Sequence, residues 1–139
     1  MNGKEYLSQA LWLDQSIRSK IEQLEVLRSL AMKVNAAFTQ EKVSGGNHVK
    51  SNMEKTIVKM ISLEEEINGD IDRLVNLKKE IMATINQVDD LNSQVLLELR
   101  YVNGKGWEEV TACMGYDRRT IFRMHGKALK EIEKMKSCH

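Results

Sequence analysis

The chain has 139 residues, a formal net charge of +1, no proline and an aromatic share of 5%. Two cysteines without paired spacing, no signal-peptide pattern and no apolar run of membrane length exclude a disulfide scaffold and a membrane-spanning chain, and point to a reducing cytoplasm. With 42% apolar and 29% charged residues, dominated by Leu, Ile, Met, Glu and Lys, the composition favours long helices over sheet, so the expected fold class is all-α.

From about Lys4 to Phe38 apolar residues recur in steps of three and four: Ala10, Leu13, Ile17, Ile21, Leu24, Leu27, Ala31, Val34 and Phe38. This is one stripe on a long helix. Lys20 stands where a strict heptad wants an apolar residue, and Ile21 is expected to take its place. Thr39 to Ser51 loses the period and contains Gly45 and Gly46, so a loop over 39–51 is expected, with His48 solvated in it. A second stripe runs through Ile57, Met60, Leu63, Ile67, Ile71, Leu74, Leu77, Ile81, Ile85 and Val88. It keeps its phase across Asn68, Gly69 and Asp70, which predicts a continuous helix carrying a glycine rather than a turn.

Neither helix is stable in water with its stripe uncovered, so the two are expected to pair as a coiled-coil-like antiparallel hairpin over residues 1–90. Leu7, Leu11, Trp12, Leu30 and Val58 flank the stripes and would stay partly exposed, which points to a homodimer or a partner protein. The acidic cluster Glu64, Glu65, Glu66, Asp70 and Asp72 lacks carboxylate–histidine spacing for a metal and reads as a solvated face. Cys138, His125 and His139 have no ligand spacing either, and Cys113 reads as a small buried side chain. No phosphate loop, nucleophile–base pairing or zinc motif is present, so no enzyme, metal, cofactor or small-molecule substrate is expected.

Charge is unevenly placed. Residues 1–102 hold 13 Lys/Arg against 15 Asp/Glu, residues 103–139 hold 8 against 5, and residues 118–136 hold seven basic to two acidic. This last segment comes after a short helix from Leu91 to Val102 and a Gly104–Gly106 break. Trp107, Val110 and Met114 then share one face of a brief helix; Gly115 suits a left-handed stop, Tyr116 could plug the corner, and Asp117 could cap the last helix. Ile121, Met124, Ala128, Ile132 and Met135, with Leu129 beside them, form the inner stripe of that helix. Arg118, Arg119, Phe122 and Arg123 are left facing outward.

That is the plan of a helix-turn-helix, in which the first helix braces the second and the start of the second reads base edges in the major groove of duplex DNA. Arginine suits base reading because its planar fork bonds both acceptors of guanine. Base contacts are therefore expected at Arg118, Arg119, Phe122 and Arg123, and backbone contacts at Lys105, Thr120, Lys127 and Lys130; Trp107, Val110, Met114, Gly115, Asp117 and Ile121 hold the motif together.

Residues 96–132, LLELRYVNGKGWEEVTACMGYDRRTIFRMHGKALKEI, resemble region 4 of bacterial sigma factors, through the Arg100–Tyr101 pair, the Trp107–Val110 step, the glycine turn and the Lys127–Leu129 ending. The whole chain, with its Ser44–Gly46 loop, resembles a family of small proteins encoded by phages and prophages of Gram-positive bacteria. The resemblance implies a transcription-associated DNA-binding module over 91–139. Of the positions it assigns to base reading, Arg118 keeps the usual residue type, Arg119 stands where an acidic residue is usual, and Phe122 where a second arginine is. A promoter-melting region with exposed aromatics is missing, so the chain is not expected to act alone as a sigma factor. Two functions are carried forward: a cytoplasmic regulator that binds double-stranded DNA and assembles through its hairpin, or a non-DNA scaffold docking to RNA polymerase or another phage component.

Overall fold

The computed structural model describes residues 1–40 and 46–137. It is all-α: α1 (Gly3–Gln40), α2 (Gly46–Ile85), α3 (Leu91–Leu97), α4 (Trp107–Met114) and α5 (Arg118–Ser137), with a π-helical turn over Glu98–Val102. Both long stripes form helices as expected, and α2 runs unbroken through Gly69. The expected loop over 39–51 is corrected at both of its ends. Thr39 and Gln40 belong to α1, Gly46 to Ser51 belong to α2, and residues 41–45 lie outside the described residues. The side chains of Val34, Phe38 and His48, together with Cys138 and His139, lie outside them too, although His48 stands in α2 rather than in a loop.

The chain packs as two compact units, one of residues Gln15–Asp72 and one of Met1–Asp14 with Arg73–His139. In the first, Lys20 meets Asp70 and Arg28 meets Glu64. A step forward along α1 is thus a step back along α2, which makes the two segments antiparallel. Ile17, Leu24, Leu63 and Ile67 are buried between them. The reading of Lys20 and Ile21 is corrected here. Ile21 is 40% exposed, whereas Lys20 stays in the heptad seam and its Nζ donates to Oδ2 of Asp70 at 2.6 Å. Asp70, 5% exposed, occupies the matching place on α2 and displaces Ile71 outward. One ionic layer replaces an apolar one, because each residue supplies the countercharge that lets the other leave water.

The second unit has one continuous core of Tyr6, Leu7, Ala10, Ile81, Ile85, Val88, Leu96, Leu97, Tyr101, Val110, Ile121, Ala128 and Ile132. Leu7, expected to be partly exposed, is completely buried because α5 packs over the start of α1. Gly3 is fitted to that contact: a Cβ there would lie 2.9 Å from the Leu129 carbonyl oxygen, and its N–H donates to Glu133 Oε1 at 3.3 Å. The Tyr6 hydroxyl meets Thr84 Oγ1 at 3.1 Å, and Lys136 Nζ lies 3.9 Å from the centre of its ring. Packing therefore does not break between residues 90 and 91.

If the Lys20–Asp70 pair substitutes for an apolar layer, Asp70→Ala, which leaves the half-buried ammonium only the longer 3.8 Å contact with Glu66, should cost about 1–3 kcal/mol in urea unfolding monitored by circular dichroism. Lys20→Leu with Asp70→Leu should restore wild-type stability or exceed it. A double variant as unstable as the single one would refute the substitution.

Candidate functional site

The C-terminal helices are positioned by a chain of local choices. Asp90 caps α3, its carboxylate accepting from the N–H of Ser93 at 3.3 Å and from the Ser93 hydroxyl at 3.0 Å. After Leu97 the helix widens: the N–H of Asn103 donates to Glu98 O at 2.9 Å, a five-residue step. The extra residue re-phases Arg100 and Tyr101 relative to an α-helix. Gly104, at φ 69°, turns the chain towards α4, and ahead of that helix Arg100 donates to the Lys105 carbonyl at 3.0 Å.

α4 stops at Gly115, whose φ of 75° and ψ of 16° are left-handed and whose N–H donates to Thr111 O. No side chain with a Cβ adopts that backbone cheaply, so the turn requires glycine. Asp117 then accepts from the N–H of Thr120 at 3.0 Å. Its carboxyl is held below the usual range by the hydrogen bonds from the Thr120 side chain and backbone, with a smaller contribution from Arg123. Tyr116 is no plug: it lies on the surface, within 3.4 Å of the Asn92 amide.

α5 packs against α3 and α4 and buries Ile121, His125, Ala128 and Ile132, a row at i, i+4, i+7 and i+11. Val110 of α4 is fully buried behind it, while Trp107, Met114 and Met124 border the same core. The rotation so fixed leaves Arg118, Arg119, Phe122, Arg123, Lys127 and Lys130 exposed and Thr120 half-buried. Arg118 reaches back to within 4.0 Å of Glu108. Arg119 and Arg123, one turn apart, together line a surface recess. Lys105 lies apart from this row, its Nζ 3.6 Å from Glu109.

Beneath this face is an aromatic cluster that the sequence did not reveal. The Trp107 ring meets Phe122 edge-on at 5.0 Å and His125 edge-on at 4.7 Å, with the Arg100 guanidinium 4.7 Å from its centroid. The Tyr101 hydroxyl and Nε2 of His125 share a 2.6 Å hydrogen bond. Burial, then the nearby charges of Lys4 and Arg100, lower the His125 pKa to about 4; burial also raises that of Tyr101. The imidazole is therefore neutral at pH 7 and serves as a packed hydrogen-bonding group. Its place on the inner row, between Ile121 and Ala128, was the available clue.

Cys113, expected inside, is exposed on α4. Among the described residues no group of His, Cys, Asp or Glu could hold a metal ion, and no helix is long and apolar enough to cross a membrane.

The molecule is thus an all-α protein whose last two helices, joined through a left-handed glycine, present a basic face. The family model described as "Protein of unknown function (DUF1492)" matches residues 33–133, and the chain belongs to that family. Comparison with curated proteins and with solved structures gives no match.

Because His125 takes a proton at about 4 when folded and near 6.5 when unfolded, the unfolded chain binds more protons between those values. Stability should therefore fall as pH drops from 6.5 towards 4, by about 3 kcal/mol across the window. His125→Gln should remove that component. Urea midpoints at pH 7 and pH 4.5 that shift equally in both proteins would show that His125 does not supply it.

Proposed function

We propose that the chain is a transcriptional regulator of phage or prophage type that binds duplex DNA through α4 and α5 and assembles as a homodimer through α1 and α2. The observation that carries this reading is the exposed row Arg119, Arg123, Lys127 and Lys130 on a helix whose opposite face is fixed in a core. Four cations within about three turns form a stripe that can track a phosphate backbone, and those nearest the N-terminus of the helix reach base edges when it lies in the major groove. Arg118 joins them once it leaves Glu108, an exchange of one exposed ion pair for another that costs little. The phage setting and contact with RNA polymerase rest on the resemblance of the sequence, and a cytoplasmic location on its unpaired cysteines and lack of a signal-peptide pattern. Against the alternative of a protein-docking face, Phe122 has one edge already satisfied by Trp107.

Fluorescence anisotropy with duplexes selected from a random pool tests the reading. Affinity should fall steeply with salt as condensed counterions are released. Arg119→Ala and Arg123→Ala should each cost about 1–3 kcal/mol on the selected site and less on random duplex, whereas Lys130→Ala should weaken both alike. A chain that binds no duplex even at low salt sinks the proposal and leaves the scaffold reading.

Assembly has its own support. Val26 and Leu30 on α1 and Val58 and Ile61 on α2 are exposed, and unpaired apolar residues grouped on helix surfaces mark an interface. Sedimentation equilibrium should return a dimer for the natural chain and a monomer for Val58→Asp with Ile61→Asp. A monomeric natural chain at micromolar concentration would rule out the homodimer.

A further inference from the structure

Phe122 is the one exposed apolar side chain in the first two turns of α5, at 44% exposure. It lies three residues after Arg119, so the two side chains are neighbours on the helix surface, and Arg119 with Arg123 lines a recess on the same part of α5. Its ring is not loose. Trp107 holds one edge at 5.0 Å and 65°, and Trp107 is itself held by Arg100 on one side and His125 on another. A ring fixed in this way loses little conformational freedom when its open side is covered.

Resting on the DNA-binding reading above, we propose that Phe122 is a specificity residue that reads the 5-methyl group of a pyrimidine, thymine in ordinary DNA, next to a guanine held by Arg119 or Arg123. The chemistry leaves little choice. Phenylalanine has no donor or acceptor, and the apolar group that base pairs display in the major groove is the thymine methyl. The guanidinium fork of the neighbouring Arg119 matches the N7 and O6 acceptors of guanine, so an apolar residue beside it reads a thymine–guanine neighbourhood. Trp107 acts as a positioning residue, because it sets the ring at a constant height above the helix while making the backing contact that keeps Phe122 from folding inward.

The test uses the full chain and the duplex it selects from a random pool, with each thymine replaced in turn by deoxyuridine, which removes the methyl and nothing else. One position in each half-site should lose about fourfold in affinity, the worth of one buried methyl. Phe122→Ala should bind more weakly but make no distinction between thymine and deoxyuridine at that position, and Phe122→Leu should keep part of the distinction. The proposal is overturned if no replacement lowers affinity, if the loss persists in Phe122→Ala, or if the selected site has no thymine beside guanine; in all three the DNA-binding reading stands. If the full chain retains no duplex at low salt, both readings fall together.

Discussion

The rotation of α5 about its own axis is set by four buried positions, Ile121, His125, Ala128 and Ile132, and every surface property of the C-terminal helices depends on it. Three are apolar, and turning the helix by one residue, about 100°, would bring charged neighbours into a core that has no partners for them. His125 makes the constraint sharper. A buried imidazole needs a hydrogen bond, and Tyr101 provides it only because the π-helical turn over Glu98–Val102 aims its hydroxyl there. An apolar row fixes a helix face; a hydrogen bond inside that row also fixes how far the helix slides.

This precision comes from distant parts of the chain. Leu7 and Ala10 near one end, and Ile81, Ile85 and Val88 from α2 and the turn after it, complete the cluster that holds α5. A segment beginning at residue 91 would leave Leu96, Leu97, Ala128 and Ile132 without much of the surface that covers them, a loss of about 25 cal/mol for each Å² of apolar area returned to water. The basic face is consequently a property of the whole unit of Met1–Asp14 with Arg73–His139, although all its basic residues fall in 118–130. The span matched by the family model, 33–133, includes that face but omits the start of α1 that packs beneath it.

Much of this is legible in the sequence where a local rule applies. The long helices follow from steps of three and four, the glycine stop from the need for a left-handed residue at Gly115, the cap from Asp117, and the outward arginines from the inner stripe of α5. The features that escape depend on partners remote in sequence. Lys20 looks misplaced because apolar periodicity carries no information about Asp70, fifty residues away, and Ile21 does not take the place that periodicity gives it. Leu7 looks uncovered because nothing local announces that α5 lies over it. Residues 46–51 read as loop for want of an apolar stripe, yet helix continues through Gly46–Ser51, since a helix joined to a long, well-packed continuation needs no stripe of its own in its first turns. Residue type alone places Cys113 and Tyr116 inside, and both lie on the surface.

Two polar pairs, one in each unit, stand inside otherwise apolar contacts: Lys20 with Asp70 and Tyr101 with His125. Neither adds much net stability, because the desolvation of each group offsets most of the bond it makes. Their effect is on the alternatives. Two antiparallel helices with unbroken apolar seams can slide by a heptad and still bury apolar against apolar, so hydrophobic area alone discriminates poorly between registers. With the ionic layer present, a slide of seven residues breaks the 2.6 Å contact between Lys20 and Asp70 and sets Lys20 opposite Leu63, an ammonium against an apolar side chain. The native register is selected because its competitors set a charge against an apolar side chain, and the same logic, with a phenol and an imidazole in place of the ions, holds α5 at one height against the turn that carries Tyr101.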